Sequence, residues 1–312
     1  MKTRTLLLAS VLLAGPGSRA SAAGKLRVVA TVPELVDITR RVGGDGVAVD
    51  GLARGTEDIH QIVMKPSFVT KLNRADAVVY LGLTVEHSFL PGLLDVSRNP
   101  RMRADIAKGC TGAGCIDCSE GISVLERPET LSRAEGEIHP QGNPHYNLSP
   151  ENGPAIARNI ARRLAELDPG RAADYRENLK AYLAELEPKL AQWRQWAKSL
   201  HGVKAVSYHK DVAYLGHFTG IAFVDTIELK PGVGPTPTHL AQLVREMKAQ
   251  GVTLIVREQH FERKTCEWLA KETGAKIAVL GVMANAFPGT ETFIAMSEHN
   301  LKALLAGAGK TP

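Results

Sequence analysis

Residues 171–200, RAADYRENLKAYLAELEPKLAQWRQWAKSL, decide the fold. Their apolar side chains recur every three or four residues, which is the spacing of one face of an α-helix. A helix of this length would extend roughly 45 Å, enough to run along two lobes. Pro188 predicts a kink rather than a break, because the apolar spacing continues on both sides of it. The apolar positions are Tyr175, Leu179, Tyr182, Leu183, Leu186, Leu190, Trp193 and Trp196.

On both sides of this helix, apolar strand patterns alternate with helical patterns. Residues 77–81 (AVVYL) and 252–257 (VTLIVR) are typical of buried parallel strands. Such alternation predicts an α/β fold. We therefore expect two α/β lobes, residues 24–168 and 201–312, joined by one long rigid helix over residues 169–200. Loops at the carboxyl ends of the strands would surround a ligand-binding cleft between the lobes.

The first 23 residues have the pattern of a secretory signal peptide. Lys2 and Arg4 precede a short apolar run over residues 6–14, and residues 20–22 (ASA) offer a cleavage site. The run is too short to anchor the chain in a bilayer, and no later segment is long and apolar enough to cross one. No cysteine follows the run, which argues against lipid attachment there. We therefore predict a periplasmic protein that is not embedded in the membrane.

The composition narrows the possible partners. The formal net charge of +5 is mild, and no basic run is interleaved with aromatic residues. Nucleic acid is therefore not an expected partner. A hydrophobic share of 44% is ample for sizeable cores, and 312 residues predict roughly two domains.

The four cysteines favour disulfide chemistry, because an exported protein meets an oxidising compartment. Cys110, Cys115 and Cys118 lie close together in a glycine-rich segment, and no second CxxC accompanies the pair at 115 and 118. A disulfide within this loop is favoured over a redox or metal role. Which cysteines pair stays open, and Cys266 on a predicted helix is expected to be a buried thiol.

Three histidines lie in short phrases typical of metal ligands, far apart in the chain. They are His60 in EDIH, His145 in NPHY and His209 in SYHK, each at the end of a predicted strand or helix. Any one of them alone would more often be a surface histidine. Together, neutral imidazoles gathered from distant loops favour a transition-metal site, most often a zinc site.

Several longer phrases carry a family resemblance and follow one another in the family's order. They are residues 81–83 (LGL) with Glu86, 119–122 (SEGI), 143–150 (NPHYNLSP), 235–237 (PTP), 251–261 (GVTLIVREQHF) and 271–276 (KETGAK). Almost the whole mature chain resembles the zinc/manganese solute-binding proteins of bacterial metal ABC importers. The resemblance implies two lobes, a rigid linking helix, a metal ion in the cleft and no enzymatic activity. It also implies an ABC permease as partner, and we expect the chain to act as a monomer.

The resemblance implies a ligand set. His60 and His145 match the first two ligands, and His209 matches a third that is histidine in zinc binders and commonly glutamate in manganese binders. The fourth is normally an aspartate, but this chain has Gly281 at that place.

Zinc prefers four ligands, so Gly281 leaves a position to fill. Glu258 is our first candidate and His260 the second, because both follow a strand of the C-terminal lobe; water is a third possibility. A supporting role for Glu258 competes with direct coordination. His139 lies in an acidic loop that could capture metal weakly, although a solvated loop is the simpler interpretation.

These observations predict a periplasmic, high-affinity binding protein that delivers Zn²⁺ to an ABC permease. Three imidazoles favour zinc over Mn²⁺, which prefers carboxylate oxygen, although manganese or another divalent metal stays an alternative cargo. Three histidines with an open fourth position are also the ligand set of zinc hydrolases, so such an enzyme is a second alternative. An extracellular adhesin or a metal-storage protein is a third. Binding without turnover would distinguish the transporter from the hydrolase.

Overall fold

The computed structural model of the chain describes residues 24–129, 136 and 139–312. The predicted signal peptide, residues 1–23, lies outside these described residues. No helix in the described ranges is long and apolar enough to cross a membrane.

The N-terminal lobe is built around a parallel sheet. Its elements are β1 (Leu26–Ala30), α1 (Pro33–Gly43), β2 (Val47–Gly51), α2 (Pro66–Arg74), β3 (Ala77–Tyr80), α3 (Leu90–Ser97), β4 (Arg103–Asp105), β5 (Gly109–Thr111), β6 (Cys115–Asp117) and α4 (Gly153–Leu167). The sheet has the order β2-β1-β3-β6, with all pairs parallel, and β4 pairs with β5 in an antiparallel hairpin. The helices α1 and α2 both begin at a proline, which needs no backbone partner at the first helical position.

The linking helix α5 (Ala172–Lys198) is continuous over 27 residues, as its apolar spacing predicts. Tyr175, Tyr182, Leu186 and Trp193 are buried along one face. Pro188 lies on the exposed side and does not end the helix, because the packed face continues past it.

The C-terminal lobe repeats the alternation around a second parallel sheet. Its elements are β7 (Lys204–Ser207), α6 (Ala213–Thr219), β8 (Ala222–Thr226), α7 (Pro237–Gln250), β9 (Leu254–Glu258), α8 (Arg263–Thr273), β10 (Lys276–Leu280) and α9 (Phe293–Gly307). The sheet order is β10-β9-β7-β8, and all pairs are parallel. The predicted two-lobed α/β architecture is confirmed, whereas the lobe boundaries at residues 168 and 200 stay a prediction.

One hydrophobic core joins the two lobes. It includes Val79 of the first sheet, Val256 of the second, Leu186 of α5 and Leu301 of α9. Two smaller cores lie on the outer sides of the sheets. Close-packed interiors transmit displacement rather than absorb it, so this shared core limits the movement of one lobe against the other.

The four cysteines form one disulfide and leave two free thiols. Cys110 of β5 forms a disulfide with Cys115 of β6. The expected disulfide within the loop is confirmed, and the redox or metal interpretation of Cys115 with Cys118 is wrong, because Cys115 is already bonded. Cys118 and Cys266 are buried free thiols, as expected for Cys266.

Candidate metal site

The three histidine phrases converge on the cleft between the sheets. His60 lies in a short 3-10 turn, Ile59–Gln61, after β2. His145 precedes a second short turn, and His209 follows β7 by two residues. All three side chains are buried.

In each phrase, the residue two positions before the histidine fixes its backbone. Asp58 Oδ1 accepts from the His60 amide at 2.9 Å, and Asn143 Oδ1 accepts from the His145 amide at 3.0 Å. Ser207 Oγ donates to the His209 carbonyl at 2.6 Å. Short polar side chains of this kind bond nearby backbone groups and stabilise turns outside regular structure. Each imidazole is therefore attached to a backbone that its own phrase holds rigidly.

The triad of His60, His145 and His209 has the dimensions of a metal site. Each offers one ring nitrogen, and the three nitrogens lie within 4.8 Å of one another. The Nε2 atoms of His60 and His145 are 3.1 Å apart. Bonds of about 2.0–2.1 Å to a tetrahedral zinc would place neighbouring nitrogens roughly 3.3 Å apart. The ring centroids are 5.0, 5.5 and 5.6 Å apart, so one ion can reach all three imidazoles.

Burial keeps His145 in the form that a metal needs. Its pKa is well below the ordinary value, first because the ring is buried and then because His60 and His209 lie beside it. A neutral imidazole binds a cation, and a protonated one repels it.

Glu228 orients His209. Its Oε2 lies 2.6 Å from His209 Nδ1, and both side chains are buried. Burial alone lowers the pKa of His209, but the hydrogen bond to Glu228 and the charges of Asp211 and Asp58 raise it overall. In this bond His209 donates its Nδ1–H to Glu228, which leaves Nε2 as the nitrogen that would bind the ion.

The sequence did not reveal Glu228 as a site residue. The signal was present in the neighbouring strands: β8 lies beside β7, and the Glu228 amide continues their pairing by donating to the Tyr208 carbonyl at 3.0 Å. A carboxylate just past the end of the strand next to His209 is where an orienting residue would be expected.

Glu258 and His260 do not join the triad. Among the described residues, only the three histidines form a group of ligand atoms within 4.8 Å of one another. Glu258 is fully buried, and burial together with the neighbouring Asp211 raises its pKa well above the ordinary value. No donor reaches either oxygen of Glu258 in the described structure. Two ionised carboxylates only accept hydrogen bonds, so Glu258 and Asp211 can share one only when one of them is protonated. His260 is half-buried against Phe261, at 4.3 Å between ring centroids. Both stay predictions for the fourth position.

Gly281 occupies a corner that has no space for a side chain. A Cβ atom there would lie 2.6 Å from the Cβ of Ala286. Its amide donates to Asn300 Oδ1 at 2.9 Å, and its carbonyl accepts from Asn300 Nδ2 at 2.8 Å. Packing and hydrogen bonds therefore leave no room for a side chain at the position that matches the family's metal-binding aspartate.

A sequence model of one protein family, described as the periplasmic component A of the zinc-uptake complex, ZnuA, matches residues 28–307. The chain belongs to the ZnuA family. ZnuA-family proteins bind a substrate for transport and are not enzymes, which removes the zinc hydrolase from consideration.

Known relatives of this ZnuA-family chain have different metals in their names. An iron ABC transporter substrate-binding lipoprotein, MtsA, from Streptococcus pyogenes serotype M1 is 24% identical over 94% of this chain and 92% of its own length. The zinc-binding lipoprotein AdcA of Streptococcus pneumoniae serotype 4 is 27% identical, covering 97% of this chain and 60% of AdcA. A crystal structure of a ZnuA deletion mutant with zinc bound superimposes with a TM-score of 0.72 at 28% identity, over 92% of this chain and 99% of that one. The chain is thus the substrate-binding protein of a metal ABC transporter.

Proposed function

We propose that this protein captures Zn²⁺ with high affinity at His60, His145 and His209 and delivers it to an ABC permease. The observation that carries the proposal is the convergence of three buried imidazole nitrogens within 4.8 Å of one another. The coarser function, metal binding for an ABC importer, follows from the family.

The donor set supports zinc over manganese. Imidazole nitrogen suits zinc, copper, iron and nickel, of which Fe²⁺ generally binds a given site more weakly than Zn²⁺, whereas Mn²⁺ prefers carboxylate oxygen. No carboxylate joins the described triad, and the nearest acidic partner, Glu228, bonds a histidine instead. We therefore expect Mn²⁺ to bind much more weakly than Zn²⁺.

Metal titration tests this function directly. The metal-free protein should bind one Zn²⁺ ion per chain, measured by competition with a chromogenic chelator. His60→Ala, His145→Ala and His209→Ala should each lower zinc affinity by more than about 100-fold, because each removes a ligand. His217→Ala is the matched control, since His217 is an exposed histidine of α6. Unchanged zinc affinity in all three triad variants, or tighter binding of Mn²⁺ than of Zn²⁺, would contradict the proposal.

We also propose that the chain acts outside the cytoplasm as a monomer. The signal pattern of residues 1–23 supports export, and the family's description includes the word periplasmic. The two relatives above are named lipoproteins, whereas residues 1–23 of this chain contain no cysteine. Terminal sequencing of the exported protein should find cleavage near residue 22 and no attached lipid, and light scattering should find one chain per particle.

A further inference from the structure

Two more histidines, His139 and His87, lie beside the triad. The ring centroid of His139 is 5.2 Å from that of His60 and 6.3 Å from that of His145. The ring of His87 is 5.8 Å from His139 and 6.4 Å from His60. Four imidazoles bound to one tetrahedral zinc have ring centroids roughly 5 Å apart. His139 has this separation from His60 but not from His145, and its nitrogens lie outside the 4.8 Å group of the triad, so binding as a fourth ligand requires the His139 side chain to move toward the ion.

His139 also faces the same space as two of the ligands. A cavity of about 700 Å³ is lined by His139, His145 and His209 among others. The backbone of His139 is held by a turn, in which its carbonyl accepts from the Gly142 amide at 3.0 Å. Gln141, in the same turn, donates to the Ala107 carbonyl at 2.8 Å. An ion that enters the cavity therefore meets His139 at a defined place.

Thr84 orients both additional imidazoles. Its hydroxyl lies 3.0 Å from His139 Nδ1, and its carbonyl lies 2.9 Å from His87 Nδ1. An imidazole that donates its Nδ1–H, as His87 does to the carbonyl and as His139 can to the hydroxyl, leaves Nε2 free to bind a metal. Thr84 has a φ of +66° and follows two residues that also have positive φ, which is an uncommon conformation for a β-branched residue. Strain of this kind concentrates at functional sites.

We propose that His139 is the fourth metal ligand, bound through Nε2, and that it replaces the carboxylate that Gly281 cannot supply. This inference rests on the proposed function of the triad. It makes the site a set of four neutral nitrogens, which selects zinc over manganese and iron more strongly than three histidines and a carboxylate would. Glu258 then contributes no ligand to the site.

The test counts imidazole ligands as zinc is added. Long-range ¹H–¹⁵N spectra of histidine-labelled protein report each Nε2 that binds the ion. Four Nε2 signals should shift in the wild-type protein and three in His139→Ala, with zinc affinity reduced more than about 100-fold. His139→Gln should behave like His139→Ala and guards against a local folding defect. His87→Ala is the matched control, because His87 is also held by Thr84; it should keep four shifted signals and wild-type affinity.

Three shifted signals in the wild-type protein, unchanged by His139→Ala, would overturn the inference. So would zinc absorption spectra showing an oxygen ligand that Glu258→Gln removes. Both outcomes leave the triad intact. A wild-type protein that binds no zinc would overturn the proposed function itself.

Discussion

Glu228 and His209 form a buried pair in which the carboxylate Oε2 and the imidazole Nδ1 are 2.6 Å apart. The pair lies just past the ends of β7 and β8, where the Glu228 amide donates to the Tyr208 carbonyl, so its geometry depends on the pairing of these two strands. A histidine ligand held in this way presents one nitrogen in one direction and loses little freedom when an ion arrives.

Removing the charge of Glu228 should weaken metal binding without removing a ligand. In Glu228→Gln, we expect zinc affinity to fall about 10–100-fold, because a neutral amide oxygen accepts a weaker hydrogen bond from His209 than the carboxylate does. One ion per chain should still bind. Glu272→Gln, at an exposed glutamate of α8, is the control. Wild-type affinity in Glu228→Gln, measured by chelator competition, would show that Glu228 does not orient the ligand.

Thr84 offers an isosteric test of the His139 proposal. Thr84→Val removes the hydroxyl bonded to His139 Nδ1 and keeps the β-branched side chain at the same strained backbone position. We expect zinc affinity to fall about 10-fold, as for an outer partner of a ligand. Thr84→Ser retains a hydroxyl and should stay near wild type. Equal affinities in the two variants would show that this hydrogen bond has no part in metal binding.

The sequence predicted the linking helix and the triad because both signals are local. The apolar spacing persists from Tyr175 to Trp196, roughly six turns, and each ligand phrase contains the histidine together with the polar residue that fixes its backbone. The helix is found where the spacing predicts it.

The rest depends on contacts that no local pattern encodes. Glu228 reaches His209 through strand pairing that includes a register shift at Ala205 and Val206. The β4–β5 hairpin has strands of three residues, too short to show alternation. Three neighbouring cysteines allow several pairings, and only the fold brings Cys110 to Cys115.

Thiol labelling should distinguish the cysteines. The native protein should react with no alkylating reagent, because Cys118 and Cys266 are both 0% exposed. Burial also raises the pKa of Cys266 to about 12, which suppresses the reactive thiolate. In denaturant, mass spectrometry should find two labelled cysteines, and after reduction four. Four labels without reduction would contradict the disulfide, and rapid labelling of the native protein would contradict the burial of the thiols.

Glu34 joins the N-terminal lobe to the C-terminal lobe and to the segment that follows the ligand His145. It lies on α1, is fully buried, and accepts hydrogen bonds from Asn147 Nδ2 at 2.8 Å and from the Ala284 amide at 3.1 Å. Asn147 Nδ2 also donates to the Val282 carbonyl at 3.0 Å. Burial raises the pKa of Glu34 from 4.5 to about 7, although these hydrogen bonds oppose the shift.

A raised carboxyl pKa means that ionisation destabilises the folded state. The stability that Glu34 contributes is fully present below pH 4.5 and is lost as pH rises through about 7. Replacing it with glutamine removes this dependence. The free energy of unfolding of Glu34→Gln relative to wild type should therefore increase by up to about 3 kcal/mol between pH 5 and pH 8. Denaturant unfolding of the metal-free proteins at both pH values measures it, with the exposed Glu177→Gln as control. A difference that is the same at both pH values would show that Glu34 does not titrate in this range.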